Sequence, residues 1–311
     1  MNDCKNRHTV AGNWATLLLP IGVDDDIEFA KLGEEIDILI AAGVDGIYSN
    51  GTAGEFHSQT EDEFDRIQSM LAERCAAAGM NFVIGACQPD ARIMLERVRR
   101  SALLKPLAIQ VILPDWWPVT DREAIDFLNR AVDVGSGIPL ILYNPPHAKR
   151  VLTPEELGRI CAAVPGVIGA KVADGDKQWY ADARQHLSEL SLFVPGHHLA
   201  TGIMEDIAAG SFSNVACLSP RGAQMWTASM QDDIHAALAL ERRICKFMET
   251  HIVPYRQRLG YSNAALDKLL CAIGNWGPFG TRLRWPYRSI DMSEAERLRD
   301  VARTEVSELF A

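Results

Sequence analysis

The chain has 311 residues, 48% of them hydrophobic and 23% charged, which suits one large globular domain or two small ones. Its net charge of −10 argues against a nucleic-acid partner, because phosphate-backbone binding rests on clustered Lys and Arg. Apolar runs such as Leu17–Leu19 and Pro139–Tyr143 fall far short of the roughly 20 residues that span a bilayer, so no membrane partner is expected.

The polar opening Met1-Asn2-Asp3-Cys4-Lys5 lacks the layout of a secretory signal and points to the cytoplasm. Short β-type runs then alternate with longer amphipathic stretches, and no Pro/Gly/Ser-rich linker divides the chain, a pattern of α/β architecture with a parallel sheet. Eight strands are predicted: Val10–Leu19, Val44–Ser49, Phe82–Ala86, Ala108–Leu113, Leu140–Tyr143, Val167–Val172, Leu192–Val194 and Val215–Leu218. Eight is the number that closes a (β/α)8 TIM barrel. Thr60 with Glu63, Thr120 with Glu123, and Thr153 with Glu156 have the spacing of capping boxes, in which the hydroxyl and the carboxylate each satisfy a backbone N–H left orphaned at a helix start. After Thr120, Ile125, Leu128, Ala131 and Val132 recur at helical intervals and give one buried face.

Further helices are predicted at Ile234–Met248, Asn263–Ile273 and Ser293–Leu309, more than a barrel needs. The expected organisation is a barrel over residues 1–225 and a C-terminal helical extension, 226–311, packed on it. A doubly wound open sheet is the rival, but its Gly-rich phosphate fingerprint after the first strand is missing. The seven cysteines (Cys4, Cys75, Cys87, Cys161, Cys217, Cys245, Cys271) are scattered and form no C-x-x-C pair, against both a disulfide framework and a structural zinc site.

In such a barrel the chemistry sits where strands end and βα loops begin. The sixth strand carries Lys171 inside an apolar run, sharing a face with Gly169, whose small size would leave room for the long side chain. Burial there disfavours the ammonium and yields a nucleophilic amine. The plainer alternatives are a lysine paired with a buried carboxylate or one reaching for solvent. The fifth strand ends in Tyr143, followed by the stiff Asn144-Pro145-Pro146; its phenol either handles a reacting proton or anchors the barrel mouth. After the second strand, Gly51-Thr52-Ala53-Gly54-Glu55 is a tight turn whose backbone N–H groups can converge on a carboxylate. His197-His198 suggests a metal only weakly, because adjacent histidines point different ways and no acidic residue completes a ligand spacing. Trp14 reads as barrel core.

Together these segments resemble the dihydrodipicolinate synthase and N-acetylneuraminate lyase family of class I aldolases and dehydratases. The match runs through Gly51, Thr52, Gly54 and Glu55, then Tyr143, Asn144 and Pro146, then Gly169 and Lys171 followed by Gly175-Asp176, and Arg282-Leu283-Arg284-Trp285-Pro286 near the end. The resemblance implies a lyase acting on a pyruvate-like 2-oxo acid through a Schiff base on Lys171, with Tyr143 as proton relay. Gly51, Thr52, Ala53 and Gly169 are then expected at the substrate, no cofactor or metal is required, and the chain forms a homodimer or homotetramer.

Three departures bear on substrate. Ala53 replaces a second hydroxyl. Trp116-Trp117 stands where many members carry a tyrosine pair, one of which reaches a neighbouring subunit, and an indole cannot pass a proton. Ala148 lies where the lysine-pathway synthases hold an arginine for the second substrate's carboxylate, with Lys149 and Arg150 beside it. Trp116, Trp117, His198 and Asn144 are expected to line the pocket. Aldol chemistry, including true 4-hydroxy-tetrahydrodipicolinate synthesis, and dehydration of a sugar acid are not separated by the sequence. A non-catalytic barrel that senses an oxo acid is the reading from a different class.

Overall fold

The structure, a computed structural model, describes residues 10–310; the Met1–Lys5 opening, with Cys4, lies outside the described residues. Eight strands close a barrel in chain order: β1 (Gly12–Thr16), β2 (Gly46–Ser49), β3 (Phe82–Gly85), β4 (Ala108–Ile112), β5 (Leu140–Asn144), β6 (Val167–Val172), β7 (Ser191–Pro195) and β8 (Gly210–Ser213). All neighbours pair parallel, and β8 returns to β1. Seven helices alternate with the strands: α1 (Phe29–Ala41), α2 (Glu61–Ala78), α3 (Ala91–Leu103), α4 (Asp121–Val134), α5 (Pro154–Ala162), α6 (Lys177–His186) and α7 (Leu199–Met204). After β8 come α8 (Asn214–Leu218), α9 (Pro220–Ser229), α10 (Ile234–Phe247), α11 (Val253–Gln257), α12 (Asn263–Gly274) and α13 (Met292–Glu305). This is the expected TIM barrel with extra C-terminal helices. Helix α9 runs across residues 225 and 226, the point at which the sequence divides barrel from extension.

The three capping boxes form as the spacing predicts, opening α2, α4 and α5. The barrel interior is aromatic, with Trp14, Tyr48, Phe193 and Phe212 packed together and Phe193 stacked on Phe212 at 4.5 Å between centroids. No helix among the described residues is long and apolar enough to cross a membrane.

The eighth strand is a correction. Val215–Leu218 is not a strand but lies in helix α8, opened by the Ser213 hydroxyl, which accepts from the Ala216 N–H. The strand is the preceding Gly-Ser-Phe-Ser, which has no β-branched residue to announce it. The apolar run of α8 is buried because it packs against α12, not because it lines the sheet. The first strand is also shorter than predicted: Leu17, Leu18 and Leu19 stay buried beyond its end.

Candidate active site

Strand β6 sets Lys171 opposite Tyr143 on β5 and Phe193 on β7. Its Nζ lies 4.4 Å from the Tyr143 ring centroid, 4.9 Å from that of Tyr48 and 5.5 Å from that of Phe212, and donates to Tyr48 Oη at 3.2 Å. Ring faces favour an ammonium; burial works against it and lowers the amine to about 8, with the Asp267 carboxylate pulling the other way. Gly169 is small for a reason other than making room for lysine: a Cβ there would stand 2.6 Å from the Ser191 carbonyl oxygen on β7.

The turn after β2 bends through two left-handed residues, Asn50 at φ 54° and Glu55 at φ 50°. Gly51 leaves no space for a side chain, since a Cβ would meet Tyr48 Oη at 1.2 Å. Thr52 Oγ1 lies 3.5 Å from Tyr143 Oη. Burial pushes the Tyr143 phenol up to about 12, against the pull of the Thr52 hydrogen bond, so the phenol keeps its proton at neutral pH. Glu55 is buried and spans to the C-terminal helices: Oε1 pairs with Lys268 Nζ of α12 at 2.5 Å, and Oε2 accepts from the Arg284 N–H at 3.0 Å. Beside Lys268, Asp267 accepts no hydrogen bond among the described residues. Burial raises its carboxyl to about 7, and Lys171 draws it down.

A cavity of about 560 Å³ opens at the barrel mouth, its walls including Thr52, His57, Ile112, Tyr143, Ala148 and Tyr287. Lys171 is not part of its wall; the cavity begins at Tyr143 and Thr52. Asn144 lines it, held by a two-way bond in which Leu152 N–H donates to Oδ1 (3.0 Å) and Nδ2 donates to the Leu152 carbonyl (2.9 Å). Ala53 is half-buried and is not among the lining residues.

Trp116 and Trp117 do not line the cavity: they are 84% and 81% exposed, because the β4–α4 loop turns them outward. His198 is not in it either, with Nδ1 3.3 Å from Asp174 Oδ2, while His197 Nδ1 lies 3.2 Å from Asn214 Oδ1. Of the two basic residues that follow Ala148, Lys149 is not among the cavity's walls and Arg150 is already paired. Arg150 is spent on the Val119 carbonyl, Asp121 and Glu156, and Lys149 donates to the Trp116 carbonyl at 2.6 Å.

Sequence reasoning did not single out Tyr48, Asp267 or His57. Tyr48 carries a readable signal, an aromatic at a strand end three residues before Gly51. Asp267 sits in an otherwise buried helical run, and a charge there could have been noticed.

The profile of the "Dihydrodipicolinate synthetase family" matches residues 9–302. N-acetylneuraminate lyase of Escherichia coli O1:K1 is 24% identical over 243 residues, covering 76% of this chain and 80% of that protein. Among solved structures, the prophage protein YagE of Escherichia coli K12, described in complex with pyruvate, superposes with a TM-score of 0.81 at 19% identity, over 95% of this chain and 98% of that one. Dihydrodipicolinate synthase from Bacteroides thetaiotaomicron gives 0.80 at 20% identity, over 94% and 98%. The chain belongs to the dihydrodipicolinate synthetase family and is a lyase of the class I aldolase type.

Proposed function

We propose that this enzyme captures a pyruvate-type 2-oxo acid as a Schiff base on Lys171 and makes or breaks a bond beyond its C3, with Tyr143 handling the proton. The observation that carries the reading is a lysine amine at about 8, enclosed by aromatic rings at the barrel's catalytic end. The neutral amine adds to the 2-oxo carbon, and the carbinolamine oxygen takes a proton and leaves as water, which gives an iminium. The iminium nitrogen accepts the electron pair released when C3 loses a proton or when the C3–C4 bond breaks. Tyr143, protonated at neutral pH and within reach of the Thr52 hydroxyl, is suited to donate to the departing oxygen and to recover the proton. Thr52 and the backbone of Gly51 and Ala53 would hold the carboxylate and orient the carbonyl.

On the side of the second reactant, the wall around Ala148 offers a carboxylate no free cation. Ala148 supplies no cation, and Arg150 is already committed to carboxylates and a carbonyl. We therefore read the enzyme as a poor synthase with aspartate semialdehyde. The deciding test is intact-mass measurement after pyruvate and borohydride, with Lys171→Ala as control. A reduced pyruvyl adduct located on Lys171 is expected; reversible binding with no adduct, or an adduct that survives Lys171→Ala, refutes the assignment.

A further inference from the structure

Two phenols enclose the Lys171 amine, and they differ in what their oxygens touch. The Tyr143 hydroxyl stands beside Thr52, whereas Tyr48 Oη, on β2, accepts a hydrogen bond from Lys171 Nζ at 3.2 Å. The Tyr48 side chain is wedged in place. It is buried, its ring 4.4 Å from that of Phe212, and its oxygen takes the space beside Gly51 in which a Cβ would stand. Burial raises the phenol well above its ordinary value, against the pull of a hydrogen bond from Gln110 of β4, so it stays protonated and neutral. Gln110 is buried too, and its Nε2 donates to Cys87 Sγ at 3.4 Å.

Schiff-base formation spends one proton of the amine and keeps the other. When the neutral amine adds to the 2-oxo carbon, its lone pair makes the C–N bond and the carbonyl pair moves to oxygen. One nitrogen proton then passes to that oxygen and a second proton arrives from Tyr143. Water leaves as the nitrogen pair forms the C=N bond, and the Tyr143 phenolate is left to take a proton from C3. The iminium still carries one N–H, now on a charged nitrogen, and a hydrogen bond from a charged donor is stronger than one from a neutral donor. We infer that Tyr48 is a catalytic residue of this capture: its oxygen accepts the N–H that persists from amine to iminium, aims the lone pair at the 2-oxo carbon and stabilises the charge that develops on nitrogen. Tyr143 serves the substrate oxygen and C3. The assignment rests on the Schiff-base reading and divides its work between the two phenols.

The test follows the amine in Tyr48→Phe. The titratable groups that bear on Lys171 are Tyr48, Tyr143, Cys87, Cys217, Asp267 and His147, and this substitution alters the first alone. The midpoint of the free amine is read by NMR of isotope-labelled lysine, and capture is read as pyruvyl adduct formation in cyanoborohydride by intact mass. An oxygen that accepts from the ammonium favours the charged form, so its removal should lower the midpoint by about one pH unit and the plateau capture rate by about tenfold. If the ring only packed the barrel, disturbing it would admit water and move the midpoint up, toward an ordinary lysine. Tyr48→3-fluorotyrosine keeps the hydroxyl and nearly the same shape but is a weaker acceptor. It should give an intermediate midpoint and rate, and it decides the matter alone if Tyr48→Phe fails to fold. Tyr143→Phe should slow turnover and leave the midpoint in place. A midpoint that stays or rises when Tyr48 is altered, or a plateau rate within about twofold of wild type in Tyr48→Phe, overturns the assignment. A wild type that forms no adduct on Lys171 overturns the Schiff-base reading and this assignment with it, whereas a wild-type adduct with an unmoved midpoint overturns this assignment alone.

Discussion

The pH dependence of amine capture at Lys171 is the sharpest consequence of the site. With the amine at about 8, roughly one in ten molecules carries a neutral amine at pH 7, against about one in 3000 for an ordinary exposed lysine. Between pH 7 and pH 9 the capture rate should therefore rise about tenfold and then level off, whereas an unperturbed lysine would gain roughly a hundredfold and still be climbing. The assay is the second-order rate of pyruvyl adduct formation in cyanoborohydride, read by intact mass across pH 6 to about 10. Asp267 gives the second arm. Its negative charge raises the Lys171 value, and the two groups titrate as a pair, so Asp267→Asn should move the midpoint to lower pH. A wild-type rate that rises log-linearly through pH 9 would show that burial does not depress this amine, and an unmoved midpoint in Asp267→Asn would remove the carboxylate from the account.

Other outcomes follow from the same geometry. Tyr143→Phe should lower turnover by about 10²-fold with the fold intact, measured in steady state; near wild-type rates would leave Tyr143 a structural role. Ala148→Arg should raise kcat/KM for pyruvate with aspartate semialdehyde by about one to two powers of ten relative to an uncharged aldehyde, and no gain would mean the second substrate lies elsewhere. Lys268→Met leaves the Glu55 carboxylate buried without its partner and should cost about 3–5 kcal/mol in urea unfolding, part of it recovered by adding Glu55→Gln. Raising pH from 4 to 7 should weaken the fold through Asp267: its carboxyl, near 7 when folded and near 4 when unfolded, binds more protons in the native state across that window, and Asp267→Asn should flatten the slope.

Residues whose position is fixed by local pattern were legible in the sequence. Lys171 in an apolar strand, Tyr143 before two prolines and the glycine-rich turn at Thr52 all lie at strand ends, where period-two alternation and turn chemistry place them. The capping boxes were readable because both partners sit three positions apart. What the sequence hid depends on distant neighbours. β8 has no strand composition of its own and is held by β1 and β7. The demand for glycine at 169 comes from the Ser191 carbonyl on the next strand. Trp116 and Trp117 look like pocket material by type, yet the path of their loop, tied down through Lys149 at Asp115 and Trp116, faces them to solvent. Asp267 acts on Lys171 from almost a hundred residues away in the chain, a pairing no local window can reveal.

The bond between Glu55 and Lys268 also bears on the order in which the chain can fold as it is made. The turn after β2 is made early, but its buried carboxylate waits for a lysine that emerges only after more than two hundred further residues. A nascent barrel with all eight strands in place would still carry an uncompensated carboxylate in the turn after β2, which disfavours closing the turn before α12 docks. The same dependence predicts that a split of the gene at the end of β8 yields two fragments that are inert apart and regain activity only on reassembly, since Lys268 and the Arg284 N–H hold Glu55 of the turn after β2.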